Sequence, residues 1–188
     1  MSERHTLIRS LHDVGLAAWF GGSLMGAIGL NGAAKDQGDT RTATDRIASA
    51  GWARWTPVNA AAIGAHLFGS GGLLAVNAHR VVTQQGVISS TAAKTVVTGA
   101  ALAATAYARV LGKKIELASS PDPQDAEKAR EHPIDLDKAR RQLACAQWVV
   151  PALTGCLVVL NALHGEQQRP SEQASGMWER ARSVSPFL

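Results

Sequence analysis

Three of the six histidines fall where they could act together, and a fourth falls inside a span. His12 opens one long uncharged stretch, while His79 and His164 close two others, so three imidazoles on three helices would share one membrane face. With each helix centred on its uncharged stretch, their depths agree to about 6 Å at ~1.5 Å per residue. Imidazoles gathered in this way suit copper or zinc, and one of them could serve haem as an axial ligand. The plainer use of the same positions is a helix end, where water or a terminal carbonyl satisfies the ring, and the residues favour that use. His66 is different: it falls near the middle of a stretch, where a polar ring is costly without a partner. On the same centring it lies about 12 Å in depth from His12, which disfavours the two as joint ligands of one haem. Asp13 follows Arg9 by four residues, the spacing of a helical ion pair that would seat the start of the first span; coupling to His12 or to a neighbouring subunit is the alternative. No two carboxylates share an uncharged stretch, so a proton relay would have only Asp13 and His66 as members. Phosphate-loop, nucleophile-elbow, HExxH and CxxC signatures are absent, and no cofactor is expected beyond the metal or haem alternative.

These side chains need helices to carry them, and the distribution of charge shows where the helices lie. Overall composition is unremarkable, with 46% hydrophobic residues and a mean hydropathy of -0.02. The charge, however, is partitioned. Val14–Ala34 (21 residues), Trp55–Ala78 (24) and Gln142–Leu163 (22) contain no Asp, Glu, Lys or Arg. Helices of that length reach across a hydrocarbon core of ~30 Å, whereas an amphipathic helix in water shows a charge every turn or two. A fourth stretch, Thr91–Leu111, can span if Lys94 and Arg109 snorkel outward. The pattern predicts an all-α integral membrane bundle of four transmembrane helices, at about residues 11–34, 55–79, 91–111 and 142–164. An alanine-rich soluble bundle is the alternative. Residues 1–165 form the bundle, and the polar tail 166–188 is expected to be mobile. The charged N-terminus lacks a small-x-small cleavage site, so the first span is expected to stay as an anchor. Cys145 and Cys156, on one helix, stand ~16 Å apart and cannot bond to each other.

Twelve of the Lys and Arg residues fall on the side of loops 35–54 and 112–141, against seven on the other side. That bias places both loops in the cytoplasm and both termini outside, in a bacterial inner membrane. The net charge of +4 fits basic flanks on anionic lipid and needs no nucleic acid. Trp52, Trp55, Tyr107 and Trp148 fall near the loop side as an interfacial belt, and Trp19 alone sits deep. Within the first loop, TRTATDRIASAGWARW suggests a short interfacial helix ending near Gly51, with Thr56-Pro57 opening the next span. Gln84-Gln85-Gly86 reads as a tight turn, and SSPDPQD as a flexible segment leading to a helix start in EHPIDLDKARR.

Small residues concentrate where helices would meet. Gly22, Gly26 and Gly29 in the first span, with Gly69 and Gly72 in the second, would let backbones approach within one bundle or between protomers. Asn31, Asn59, Asn77 and Asn161 suit interhelical hydrogen bonds or helix caps. A channel would need a continuous polar lining, for which Ser23, His66, Ser70, Thr98, Thr105 and Thr154 are the candidates.

The run LHDVGLAAWFGGSLMG, with GWARWTPVNAAAIGAH, ARVLGKK and QWVVPALTG, resembles uncharacterised four-span membrane proteins of high-GC Gram-positive bacteria. That resemblance covers most of the chain and implies no activity. The opening alone, His12 followed by LAAWFGGSLMGA, is loosely similar to copper-resistance D-type membrane domains, which implies copper handling at His12 only. The leading expectation is a non-catalytic integral membrane protein, surrounded by membrane lipid and acting through a protein partner or as a homo-oligomer. Metal or haem handling by His12, His79 and His164 is the alternative, and a small transporter comes after it.

Overall fold

The computed structural model describes residues 5–76, 78 and 85–167, with side chains described for all of these except 85–88 and 164–167. Val14–Ala34, Thr91–Leu111 and Gln142–Leu163 each lie within a longer helix, and Trp55–Ala78 lies within one as far as Val76. α1 spans Thr6–Gln37, α2 Arg41–Val76, α3 Gln85–Ser119 and α5 Leu136–Gln167; a short α4, Pro123–Glu131, stands between α3 and α5. There is no strand among the described residues. The fold is an all-α bundle whose four long helices are each long and apolar enough to cross a membrane.

Charge alone could not place the ends of these helices, because side-chain caps set several of them. Thr40 Oγ1 accepts the Ala43 amide at 3.1 Å and starts α2. Asp122 accepts the Gln124 amide at 2.9 Å, with Pro123 next to it in the first turn of α4. Asp135 accepts the Lys138 amide at 2.9 Å and starts α5. Each cap satisfies an amide that the helix leaves without a partner. The segment expected to be flexible before α5 therefore contains a capped helix. Gln85 and Gly86, expected in a turn, open α3, while Gln84 lies outside the described residues.

The expected break near Gly51 is absent. α2 runs unbroken through Pro57, a residue that removes one backbone donor and crowds the carbonyl four residues earlier. Thr56 Oγ1 donates to the Trp52 carbonyl at 2.8 Å beside this weak point. Trp52 and Trp55, just before the proline, both pack on α1. Tertiary contact thus holds together a helix that its own sequence would divide. In α1, a wider π turn occupies Gly26–Leu30.

α1 packs most extensively on α2, and α3 on α5; α1 also meets α5, while α2 and α3 touch only thinly. Leu16, Trp19, Ala101, Val150 and Leu157 form the main buried cluster. A second cluster, of Leu111, Ile115 and Ala139, joins α3 to α5. The outward faces stay apolar: Phe68 is 70% exposed and Val96 71%. Large apolar residues spread along the outside of every long helix disfavour the soluble alternative and are compatible with a multi-pass membrane protein.

Candidate functional site: a histidine pair and an open cavity

The tightest crossing in the bundle lies between α1 and α2. A Cβ at Gly15 would stand 2.5 Å from both the Ala62 carbonyl oxygen and the His66 amide nitrogen. One at Gly69 would stand 2.5 Å from the His12 nitrogen. Only hydrogen fits at either position, so the backbones touch directly. Gly72 faces Ile8 in the same crossing, whereas Gly29 meets only Met25 of its own helix.

This crossing brings His12 and His66 together, with ring centroids 4.5 Å apart. The separation of about 12 Å expected from the sequence is thereby corrected. The contacts of Gly15 and Gly69 set the register of the two helices, and the centres of the uncharged stretches do not. His66 is 2% exposed, and its Nδ1 lies 3.1 Å from the His12 carbonyl oxygen, the acceptor that a buried ring in this position needs. His12 Nδ1 lies 2.7 Å from Asp13 Oδ1, so Asp13 meets His12 instead of the expected Arg9. The Trp19 ring stands 6.2 Å from His66, and its Nε1 donates to Thr105 Oγ1 at 3.2 Å. The pair acts as a polar lock between α1 and α2. His79 and the side chain of His164 lie outside the described residues. Among the described residues, no three His, Cys, Asp or Glu side chains are grouped to hold a metal.

At the loop end the bundle opens into a cavity of about 1150 Å³ bordered by α1, α2, α3 and α5. Its floor is formed by Ile63, Leu102 and Val150, with Ser23 and Thr105 beside them. The hydroxyls near or below this floor are engaged locally: Ser23 donates to the Phe20 carbonyl, Ser70 to that of His66 and Thr154 to that of Val150. They do not form the continuous polar lining that a channel would require.

Indoles and amides form the middle of the cavity. A Cβ at Gly22 would overlap the Trp55 ring, and one at Gly26 the Trp52 ring, so both indoles lie directly against α1. Trp52 Nε1 donates to Asn31 Oδ1 at 3.0 Å, and Asn31 Nδ2 donates to Gln147 Oε1 at 2.8 Å. These two bonds tie α2, α1 and α5 together just beyond the π turn. Trp55 Nε1 and Asn59 Oδ1 are buried and have no hydrogen-bond partner.

The mouth is ion-paired. Arg140 on α5 donates through Nε and Nη2 to Asp45 Oδ2 on α2, at 3.0 and 2.6 Å, and through Nη1 to Asp137 at 3.1 Å. Arg41 reaches the same Asp137 oxygen at 3.0 Å. On α3, Lys113 donates to Glu116 Oε1 at 2.7 Å, while Arg109 stands 3.6 Å from Oε2. Sequence reasoning missed Asp45, Arg140 and Gln147 altogether. It placed Trp55 in a belt and Asn59 among caps or interhelical bonds, without linking the two.

Comparison with models of protein families, with curated proteins and with solved structures finds no match for the chain.

Proposed function

We propose that this protein is a non-catalytic, multi-pass protein of a bacterial cytoplasmic membrane that binds a small amphipathic molecule between its helices. The cavity carries this reading. Its size reaches the top of the range usual for sites that enclose small ligands, ~300–1,000 Å³. Apolar walls below a charged rim match a molecule with an apolar body and a polar end. Several of the charged groups at the mouth, Arg41, Asp45, Asp137 and Arg140 among them, are engaged with one another, which suits holding a ligand better than transferring a group to it. By the distribution of Lys and Arg, loops 35–54 and 112–141 face the cytoplasm, so the cavity opens on that side. The outer apolar faces contact membrane lipid, and the resemblance noted above supplies the bacterial setting.

Native mass spectrometry of the protein released from its membranes tests this function. A bound species no larger than one lipid is expected, and it should disappear in Ala60→Trp, which places an indole in the cavity. A bare chain in both proteins overturns the reading. Alkaline phosphatase, active only outside the cytoplasm, should stay silent when inserted in 112–141; activity there overturns the orientation.

A further inference from the structure

We infer that the occupant is an uncharged, hydroxyl-bearing amphiphile drawn from the bilayer, with its hydroxyl held between Trp55 and Asn59. This rests on the cavity reading above and deepens it. Trp55 and Asn59 are four residues apart on α2, which puts them on one face a turn apart. Trp55 Nε1 is a donor and Asn59 Oδ1 an acceptor, both are buried, and neither has a partner. Buried polar atoms are ordinarily paired, so two unpaired atoms of opposite kind, on residues that both border one cavity, mark a place for a group that completes both. A hydroxyl does so: its oxygen accepts from Trp55 and its O–H donates to Asn59. An ether or a carboxylate could accept from Trp55 but has no proton for Asn59.

Charge argues the same way. Arg140 and Arg41 are matched by Asp45 and Asp137, and Arg109 stands by Glu116; Lys35 and Arg141 also line the cavity, but they sit at the loop ends of α1 and α5, away from the level of Asn59. An uncompensated charge buried at the level of Asn59 would be costly. The tail has a route as well. Where α2 and α3 touch thinly, the cavity is bordered by Ala60 and Ala106, both small and exposed. Below Asn59 the floor at Ile63 is one turn away, about 6 Å, too short for a long chain. The tail therefore leaves sideways between α2 and α3 into the lipid.

The test is thermal unfolding of the full chain in detergent micelles, titrated with dodecanol, dodecyl methyl ether, dodecanoate and butanol. Dodecanol should protect wild type at about fivefold lower concentration than the ether, the worth of a hydrogen bond near 1 kcal/mol. Asn59→Leu, close in volume, should erase that difference, and Trp55→Phe should do the same. The inference is overturned if ether and alcohol protect wild type equally, as they would if water alone satisfies the pair, or if dodecanoate protects best. Butanol matching dodecanol overturns the origin in the bilayer and assigns the ligand to the aqueous side. Failure of the cavity reading looks different: no long-chain probe protects, or Ala60→Trp leaves protection unchanged.

Discussion

At Gly15 and Gly69 the helices α1 and α2 touch backbone to backbone, whereas at Gly22 and Gly26 an indole stands between the same two helices. Gly15 and Gly26 are about three turns apart. Glycine is used at both ends, and what differs is the group that faces it. Backbone against glycine draws the axes together and seals the crossing around His12 and His66. Indole against glycine puts a ring between the two backbones, and that end is where the cavity opens. A single residue type thus closes one end of the bundle and leaves the other open, and the aromatic residues on α2 decide which.

Substitution of the glycines should separate the two ends most sharply. Gly15→Leu or Gly69→Leu would drive a side chain into backbone that cannot yield, and a loss of more than about 3 kcal/mol is expected, enough to prevent assembly. Gly22→Ala at the open end meets only the Trp55 ring, which can swing toward the cavity, so a loss nearer 1 kcal/mol is expected. Gly21 and Gly64 have no neighbour within 4 Å, and leucine at either should change stability by less than ~0.5 kcal/mol. Unfolding in detergent micelles measures all five. Equal tolerance at Gly15 and Gly21 would break the comparison.

A middle-sized effect belongs to the mouth. Arg140 is 27% exposed and Asp45 15%, so their pair is partly screened. Arg140→Ala leaves Asp45 without a partner and should cost about 1–3 kcal/mol. The loss should appear as a looser loop end, with faster hydrogen exchange in the first turns of α2 and α5 and none near His66. Exchange rising equally at both ends would show that the two do not behave separately.

The parts legible in the sequence were those that depend on long runs free of charge. A stretch of more than ~20 residues without charge and rich in apolar side chains has to be buried or face an apolar medium, so Val14–Ala34, Trp55–Ala78 and Gln142–Leu163 marked three helices directly. The ends were not legible, because Thr40, Asp122 and Asp135 set them through single hydrogen bonds in polar loops. Pro57 misled for a related reason: local preference predicted a start, and packing on α1 overrode it. Gly22 and Gly26 stood out by their spacing, but nothing local showed that indoles would face them. Gly15, two residues from Asp13, carried no signal, yet it sets the register that brings His12 to His66. Asp45 and Arg140, 95 residues apart, pair only once four helices are assembled.

The smallest effect concerns the join between the two ends. Trp19 is fully buried and reaches from beside His66 to Thr105, which borders the cavity. Its Nε1 bond to Thr105 at 3.2 Å is neutral and partly buried, so about 0.5–1.5 kcal/mol is expected for it. Trp19→Phe alone would overstate that value, since a smaller ring also leaves a void beside Leu16 and Leu157. Thr105→Val alone would understate it if the indole N–H finds a water from the cavity. A double-mutant cycle of Trp19→Phe and Thr105→Val isolates the bond itself. Coupling near 1 kcal/mol would show that the sealed crossing and the open cavity share one polar contact. Coupling near zero would make the two ends independent, and filling the cavity would then leave the histidine pair undisturbed.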